Sequence, residues 1–303
     1  ELYADVILRP ALDDKQFEYS RQLAIQGVMS LDDDPRHKIM LLLKENFYPD
    51  PLGRNTVGKL DELQNLTPDK CRQIIAENFK ISDCILAAAG KIDFDCLCRQ
   101  AEYLFGSKKS QPAREISHKR QPLGYHHYPY EGAQVHIGIM TESVTPKDPH
   151  YYDARLAVAI LSGGMSSRLF TEVREKRGLC YAVGANYHSL REMAGICCYA
   201  GTTPDKAQQT FEVIIEQFQK ITDGLNDQEV HRAKIGLKSS LIMQSESTIA
   251  RASGLGSDYY RLGKVRPLDE IRQAVENIST AGVLDFLKRN PFTDFTVVTI
   301  GPK

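Results

Sequence analysis

The order of helices and strands repeats along the chain, and this repeat constrains the fold more than any other feature of the sequence. Residues 60–63 (Leu-Asp-Glu-Leu) precede a helix that Thr67 caps, and a short apolar segment follows that helix. Residues 268–271 (Leu-Asp-Glu-Ile) precede a helix that Ser279 caps, and another apolar segment follows. A helix pair is predicted upstream of each copy, and the offset between copies is a little over two hundred residues. The repeat predicts two halves of similar structure, unless two helix-rich segments match by chance.

The second half carries a block of strands that has no counterpart in the first. Val135, Ile137 and Ile139 alternate with other residues, which predicts a strand with one buried face. A turn at residues 191–192 predicts an antiparallel pair of strands around it. The predicted strands of this half cover residues 133–140, 181–188, 194–200 and 295–300. If the halves are duplicates, the equivalent block of the first half would precede Glu1.

Capping residues mark the starts of several predicted helices. The first half also contains one short predicted strand. Thr67 is followed by a proline at the first helical position, a typical helix start. The predicted helices cover residues 15–29, 35–47, 93–105, 148–161, 204–222 and 227–245, with further helices after Thr67 and Ser279. Residues 85–89, which end at Gly90, predict a short buried strand.

A polar segment separates the two halves. Residues 107–125 are rich in charged residues, proline and serine, and they show no hydrophobic period. We therefore place a linker at residues 113–125. The first half covers residues 1–112, and the second half covers residues 126–303.

Composition excludes several classes of function and bears on location. The formal net charge is −1 over 303 residues, which does not predict binding to nucleic acid or to an anionic membrane. No apolar run reaches the length of a membrane span. The seven cysteines have no disulfide-framework spacing, so buried reduced thiols are predicted. Reduced thiols favour the cytoplasm, with the periplasm as the alternative.

Several motifs, taken together and in order, resemble one known family. In the second half they are residues 163–170 (Gly-Gly-Met-Ser-Ser-Arg-Leu-Phe) and 173–181 (Val-Arg-Glu-Lys-Arg-Gly-Leu-Cys-Tyr). In the first half they are residues 33–35 (Asp-Asp-Pro) and 50–54 (Asp-Pro-Leu-Gly-Arg). This pattern is very similar to the pitrilysin and insulinase family of zinc peptidases, which includes the mitochondrial processing peptidase. The resemblance implies an α+β fold of two similar halves, each an antiparallel sheet backed by helices, with the first half incomplete at its N-terminus.

The zinc site that the resemblance implies is missing from this sequence. In the family, a His-x-x-Glu-His helix holds zinc, its Glu serves as general base, and a later helix supplies a third Glu ligand. None of the eight histidines stands in that motif, and the only close pair is His126 and His127. Alignment on the Asp-Asp-Pro turn places Gly27 at the third ligand and Ser20 at an auxiliary acidic position, although a register shift would bring Glu18 there. The chain is therefore expected to hold no metal or other cofactor, and zinc is expected on a partner or on a preceding N-terminal stretch.

Arg174 and Tyr181 match family positions that reach across the central cavity to the substrate, near the zinc of the opposite half. A guanidinium and a phenol can both donate hydrogen bonds to a peptide carbonyl and stabilise developing negative charge. From spacing alone, a solvated Arg and a half-buried strand Tyr would be the simpler interpretation. The resemblance favours a substrate-binding role for both residues.

Three functions follow as hypotheses, and the first is favoured. The chain is a non-catalytic subunit that binds peptides, by strand addition to a sheet edge, and pairs with a zinc-bearing homologous subunit or forms a homodimer. Alternatively, it is the C-terminal portion of an intact zinc endopeptidase. A third possibility is a structural subunit like the core subunits of a respiratory complex. Because the first residue is Glu1 rather than Met, we expect the chain to belong to a longer gene product.

Overall fold

The fold is α+β, with one five-stranded sheet and helices on both of its faces. The computed structural model describes residues 1–78, 81, 84–106 and 122–302, apart from the side chains of residues 241, 244 and 245. The helices of the first half are α1 (Leu2–Leu8), α2 (Asp14–Met29), α3 (Pro35–Phe47), α4 (Leu60–Gln64), α5 (Pro68–Asn78) and α6 (Phe94–Phe105). Those of the second half are α7 (Tyr151–Ser162), α8 (Ala207–Lys220), α9 (Asp227–Glu246), α10 (Thr248–Leu262), α11 (Leu268–Glu276) and α12 (Thr280–Arg289).

All five strands come from the second half. They are β1 (Tyr125–Pro129), β2 (Val135–Ser143), β3 (Cys180–Ser189), β4 (Ala194–Thr202) and β5 (Phe295–Gly301), in the spatial order β1-β5-β2-β4-β3. Strand β2 pairs antiparallel with β5 and with β4, and β4 pairs antiparallel with β3, as predicted. The sheet is not purely antiparallel, however, because β1 pairs with β5 in parallel. Parallel neighbours need a long crossover, and here the rest of the second half lies between β1 and β5.

One face of the sheet carries the main core of the molecule. Ile137 and Ile139 of β2 point to this face, together with Ile196 of β4. Helices α7, α8 and α12 cover it, and Phe218 and Phe286 are fully buried against it. The alternation of Val135, Ile137 and Ile139 thus has the buried face that the sequence predicts.

The opposite face of the same sheet is covered by α3 from the first half. Ile39, Leu43 and Phe47 of α3 pack on Met140 of β2 and Val298 of β5. A Cβ added to Gly138 would lie only 3.2 Å from Ile39 and 3.4 Å from Leu43, so glycine permits this close approach. Because both faces are covered, β2 and β4 are buried almost throughout.

The helix order of the internal repeat is present in both halves, but one predicted strand is not. Helices α2 to α5 occur in the same order as α9 to α12, and β5 follows α12. Residues 85–89, predicted as the matching strand, form neither a strand nor a helix, and Leu86 is 62% exposed. A strand needs a hydrogen-bonding neighbour, and the described residues before α6 contain no strand that could pair with this segment.

Three remaining predictions concern the linker, the cysteines and membrane spans. Residues 113–121 of the predicted linker lie outside the described residues, and β1 begins at Tyr125. Cys180, Cys197 and Cys198 of the second-half sheet are buried thiols, as predicted. The prediction is wrong for the first half, where Cys84 and Cys98 are exposed and Cys71 and Cys96 are half-buried, because helices α5 and α6 bury no residue completely. Across the described part of the chain, no helix combines the length and apolarity that crossing a bilayer requires.

Candidate substrate-binding site

Arg174 lies in a short π-helical turn that the core holds in place. The turn covers Phe170–Glu175, and the Lys176 N–H donates to the Thr171 carbonyl at 2.9 Å, five residues back. Val173 is fully buried in the main core, so the adjacent Arg174 is directed to solvent. The Arg174 guanidinium carbon lies 4.9 Å from the centre of the Phe170 ring. Such π-turns inside helices are rare and occur frequently at functional sites.

The turn after Arg174 leads directly into the edge strand β3. Gly178 has a φ of +57°, a left-handed conformation in which glycine carries no steric cost. The Leu179 N–H donates to the Val173 carbonyl at 3.0 Å. The Leu179 carbonyl in turn accepts from the buried Thr202 hydroxyl at 2.5 Å. These bonds fix the start of β3 relative to the π-turn.

Tyr181 lies in a β-bulge at the beginning of β3. Cys180 is opposite Thr202 and Ala182 is opposite Gly201, so Tyr181 has no partner residue on β4. A bulge re-aims the side chain of its extra residue, and bulges are over-represented next to active sites. The Tyr181 side chain is directed outward and is 70% exposed.

The charged neighbours of Arg174 are engaged with one another. Glu172 accepts from the Lys176 ammonium at 2.6 Å and from the Arg177 guanidinium at 2.7 Å. These hydrogen bonds, that from Lys176 first, lower the pKa of Glu172. Within the described part of the chain, neither the Arg174 guanidinium nor the Tyr181 hydroxyl has a hydrogen-bond partner. Both groups are therefore available to a ligand.

Cys180, between Arg174 and Tyr181 in sequence, is not a reactive thiol. Burial raises the pKa of Cys180 to about 11, although the positive charge of Arg174 acts in the opposite direction. A thiol with a raised pKa is a poor nucleophile at neutral pH. The arrangement at this site therefore provides hydrogen-bond donors rather than a nucleophile.

The residues at the implied zinc-ligand positions do not fit a metal. Gly27 lies on α2, and a Cβ added there would meet no atom within 4 Å. Ser20 is exposed on the same helix. The Glu18 carboxylate accepts from Gln22 at 3.0 Å and from Arg21 at 2.9 Å, and these bonds lower its pKa. The described residues include no group of three or more His, Cys, Asp or Glu that could hold a metal ion.

His126 and His127 lie on β1. The Nδ1 atom of His127 lies 2.8 Å from the Thr299 hydroxyl, which also lies 2.8 Å from the Tyr125 hydroxyl. Adjacent residues of a strand point to opposite faces of the sheet. The two imidazoles are therefore not arranged to share one ion.

Sequence reasoning predicted a binding role for Arg174 and Tyr181 but did not predict the geometry that presents them. The π-turn and the bulge both result from tertiary packing, and Gly178 was the one local signal of a tight reversal. A groove along the outer edge of β3 was also missed. Its walls come from helices far apart in sequence, so no local pattern reveals it.

The mixed sheet is covered by helices from both halves, and the exposed Tyr181 lies at the start of its edge strand, just after the turn that carries Arg174. This is the class of α+β fold that the resemblance to the pitrilysin family implies. The chain belongs to the peptidase M16 family, because a profile described as "Peptidase M16 inactive domain" matches residues 65–237, more than half of its length. Among curated proteins, it is 28% identical over 305 residues to an "Uncharacterized zinc protease" of Rickettsia felis. That match covers 99% of this chain and 74% of the relative.

Solved structures share the fold. A peptidase M16 inactive domain from Pseudomonas fluorescens matches with a TM-score of 0.84 and 20% identity, covering 100% of this chain and 74% of that one. A chain of Complex III2 from Candida albicans matches with a TM-score of 0.83 and 17% identity, covering 98% of this chain and 73% of that one. At these identities the matches establish the architecture alone. They confirm the α+β fold that the resemblance implies.

Proposed function

We propose that this protein is a non-catalytic subunit that binds peptides and contributes Arg174 and Tyr181 to the zinc active site of a homologous partner. The proposal rests on the exposure of these two side chains and on their unused hydrogen-bond donors. Both are exposed, and neither has a hydrogen-bond partner among the described residues, while Glu172, Lys176 and Arg177 of the same turn satisfy one another. Side chains that leave a π-turn and a bulge with their hydrogen-bond donors unused are typical of ligand contacts.

The chemistry of the pair suits a peptide carbonyl. A guanidinium carries five N–H donors, and a phenol carries one O–H donor. Donors held in place before the reaction stabilise an oxyanion because they require no reorganisation as charge develops. Arg174 would hold the carbonyl oxygen, and Tyr181 would add a second donor. Neither residue supplies a nucleophile or a general base, so hydrolysis requires a metal site on the partner.

Replacing Arg174 tests the proposal in a reconstituted pair with the zinc-bearing homologous subunit. We expect Arg174→Ala to lower kcat/KM for an internally quenched peptide by about 100-fold, the cost of one oxyanion donor. Lys176→Ala is the matched control, because it removes a positive charge from the same stretch while Arg177 still pairs with Glu172. Equal rates for both variants would contradict the role of Arg174 and would favour a structural subunit of the core type.

A second candidate function is the C-terminal portion of an intact zinc endopeptidase. The curated relative from Rickettsia felis is named a zinc protease, and the match spans 74% of its length. A His-x-x-Glu-His helix encoded upstream of Glu1 would support this candidate. Gly27 counts against it, because glycine offers no ligand atom at the third zinc position.

A further inference from the structure

The outer edge of β3 is the starting point of a second site, separate from Arg174 and Tyr181. Strand β3 is last in the sheet, so alternate N–H and C=O groups point away from β4. The Leu190 N–H donates to the Met193 carbonyl at 2.8 Å and closes the β3–β4 hairpin. Because backbone direction alternates along a strand, the N–H and C=O groups of His188 and Asn186 also point towards β4. The backbone groups of Ala185 and Tyr187 therefore point outward.

Two contacts from outside the sheet support this assignment and define how far the edge is covered. The Ala185 N–H donates to the Ser162 hydroxyl at 2.8 Å, and the Ser189 carbonyl accepts from Arg261 at 3.3 Å. Between these two contacts, the outward Tyr187 N–H donates to no acceptor on α7, α9 or α10 among the described residues, and the Tyr187 C=O accepts from no donor there. An edge of this kind accepts an additional strand.

The edge opens into a cavity of about 560 Å³. Its walls are the end of α7 and the middle of α9, and small residues leave the space open. A Cβ added to Gly236 of α9 would meet no atom within 4 Å, and Ala159 and Ser162 face it from α7. The volume lies in the range that ligand-binding clefts occupy.

The charge of the cavity is positive. Arg155 and Arg261 line it, and no Asp or Glu does so among the described residues. His188 is also part of the lining, but burial, with Lys44 and Arg261 nearby, lowers its pKa to about 4, so it is neutral at pH 7. The two guanidinium groups therefore set the electrostatics of the cavity.

The arginines are held by neutral groups rather than by carboxylates. Arg155 donates to the Tyr151 hydroxyl at 2.8 Å, and its guanidinium carbon lies 5.7 Å from the centre of the Tyr187 ring. An adjoining cavity of about 360 Å³, which also contains Arg155, is lined by Asp258. That carboxylate is bound by Arg266 at 2.6 and 2.9 Å, so it does not neutralise Arg155.

We propose that this groove binds an extended peptide segment as an additional strand on β3, with an acidic side chain of that peptide held by Arg155 and Arg261. The unpaired backbone of Tyr187 provides strand pairing, and the two guanidinium groups provide the charge complement. A carboxylate matches the planar donors of arginine. The site requires neither a partner subunit nor Arg174 and Tyr181, so it can be tested on this chain alone.

The test is fluorescence anisotropy with a dye-labelled peptide that is acetylated at its N-terminus and amidated at its C-terminus. The peptide alternates Val and Thr and carries a central Glu, and its counterpart carries Gln instead. We expect the Glu peptide to bind about tenfold more tightly, because Gln loses the charge-assisted hydrogen bonds. Equal binding of the two peptides would overturn the proposal.

Protein variants locate the site. Arg155→Gln and Arg261→Gln should each weaken binding of the Glu peptide by about tenfold. Arg99→Gln, which removes an exposed arginine from α6, should leave it unchanged. Gly236→Met should abolish binding of both peptides while the melting temperature is kept, because a side chain favoured in helices then fills the open space. Binding that survives Gly236→Met, or arginine variants that bind like Arg99→Gln, would contradict the proposal.

Discussion

Arg174 and Tyr181 show how local packing can direct polar side chains to solvent without giving them a hydrogen-bond partner among the described residues. Val173 is fully buried and anchors the π-turn, so the next residue points outward. Tyr181 occupies the bulge at the start of β3, and its neighbour Cys180 is buried. The backbone therefore fixes the direction in which each side chain leaves the main chain.

The Tyr181 hydroxyl can be tested with a single-atom change. In the reconstituted pair, Tyr181→Phe should lower kcat/KM by roughly tenfold, because one hydrogen bond to the substrate is lost while the ring remains. The matched control is Tyr103→Phe on α6, whose side chain is 87% exposed. If Tyr181→Phe processes peptide as fast as this control does, Tyr181 has no part in catalysis.

His188 makes the stability of the fold depend on pH. Its Nδ1 atom lies 2.8 Å from the hydroxyl of Tyr48, which is buried at the end of α3. Burial, with the positive charges of Lys44 and Arg261, lowers the pKa of His188 from 6.5 to about 4. The unfolded chain therefore binds a proton between these values that the folded chain does not bind. Stability is kept above pH 6.5 and is lost as pH falls towards 4.

The pH dependence has a direct test in the free energy of unfolding from urea titrations. Between pH 4 and 6.5, we expect His188 to give the wild-type free energy of unfolding a dependence on pH that approaches about 1.4 kcal/mol per pH unit. His188→Gln should remove this dependence. His231→Gln, which removes an exposed imidazole from α9, should keep it. Equal slopes for His188→Gln and the wild type would show that His188 does not cause the acid sensitivity.

At the scale of single residues, the family motif identified positions but not their environment. The spacing of Arg174 and Tyr181 could be read from the sequence, and so could the glycine at position 27. The contact of Arg174 with Phe170 could not be inferred, since it depends on the π-turn. The pairing of Lys176 and Arg177 with Glu172 likewise depends on that local backbone.

At the scale of elements, α3 links the first half to the sheet of the second. Leu43 is fully buried between α3 and the strands β2 and β5. Leu43→Ala should lower the free energy of unfolding by about 2–5 kcal/mol, the range measured for cavities left by buried leucines. Leu23→Ala on α2, where the side chain is 68% exposed, should change it by less than about 0.5 kcal/mol.

The midpoints of urea denaturation measure this difference. A small effect of Leu43→Ala, equal to that of Leu23→Ala, would show that α3 does not pack on the sheet as described. Both substitutions remove the same side-chain atoms from a helix. Any difference between them therefore reports the contact of α3 with the sheet.

The sequence predicted four of the five strands, but no predicted helix range covers α1, α4, α10 or α11, and the errors have physical reasons. Helix signals are local, and the predicted starts at residues 15, 35 and 93 lie within one residue of the observed starts of α2, α3 and α6, which Asp13, Asp34 and Asp93 cap. Strand formation depends on partners distant in sequence. Residues 85–89 have an apolar pattern but no pairing neighbour, and the parallel pairing of β1 with β5 has no local signal.

At the scale of the whole molecule, the two halves share an order of helices and meet across one sheet. The shared order was visible in the sequence through the Leu-Asp-Glu motifs that begin at Leu60 and Leu268. The packing of α3 on the second-half sheet was not visible, because the apolar face of α3 does not reveal its partner. Family membership and the exposed Arg–Tyr pair together lead to the proposed non-catalytic subunit.

The zinc content of the full-length gene product tests the central claim most directly. The protein would be purified, equilibrated with a trace of zinc, dialysed and measured by mass spectrometry for metals. The account predicts far less than one zinc per chain, because Gly27 offers no ligand at the third position. Near-stoichiometric zinc would contradict it and would favour the intact zinc endopeptidase instead.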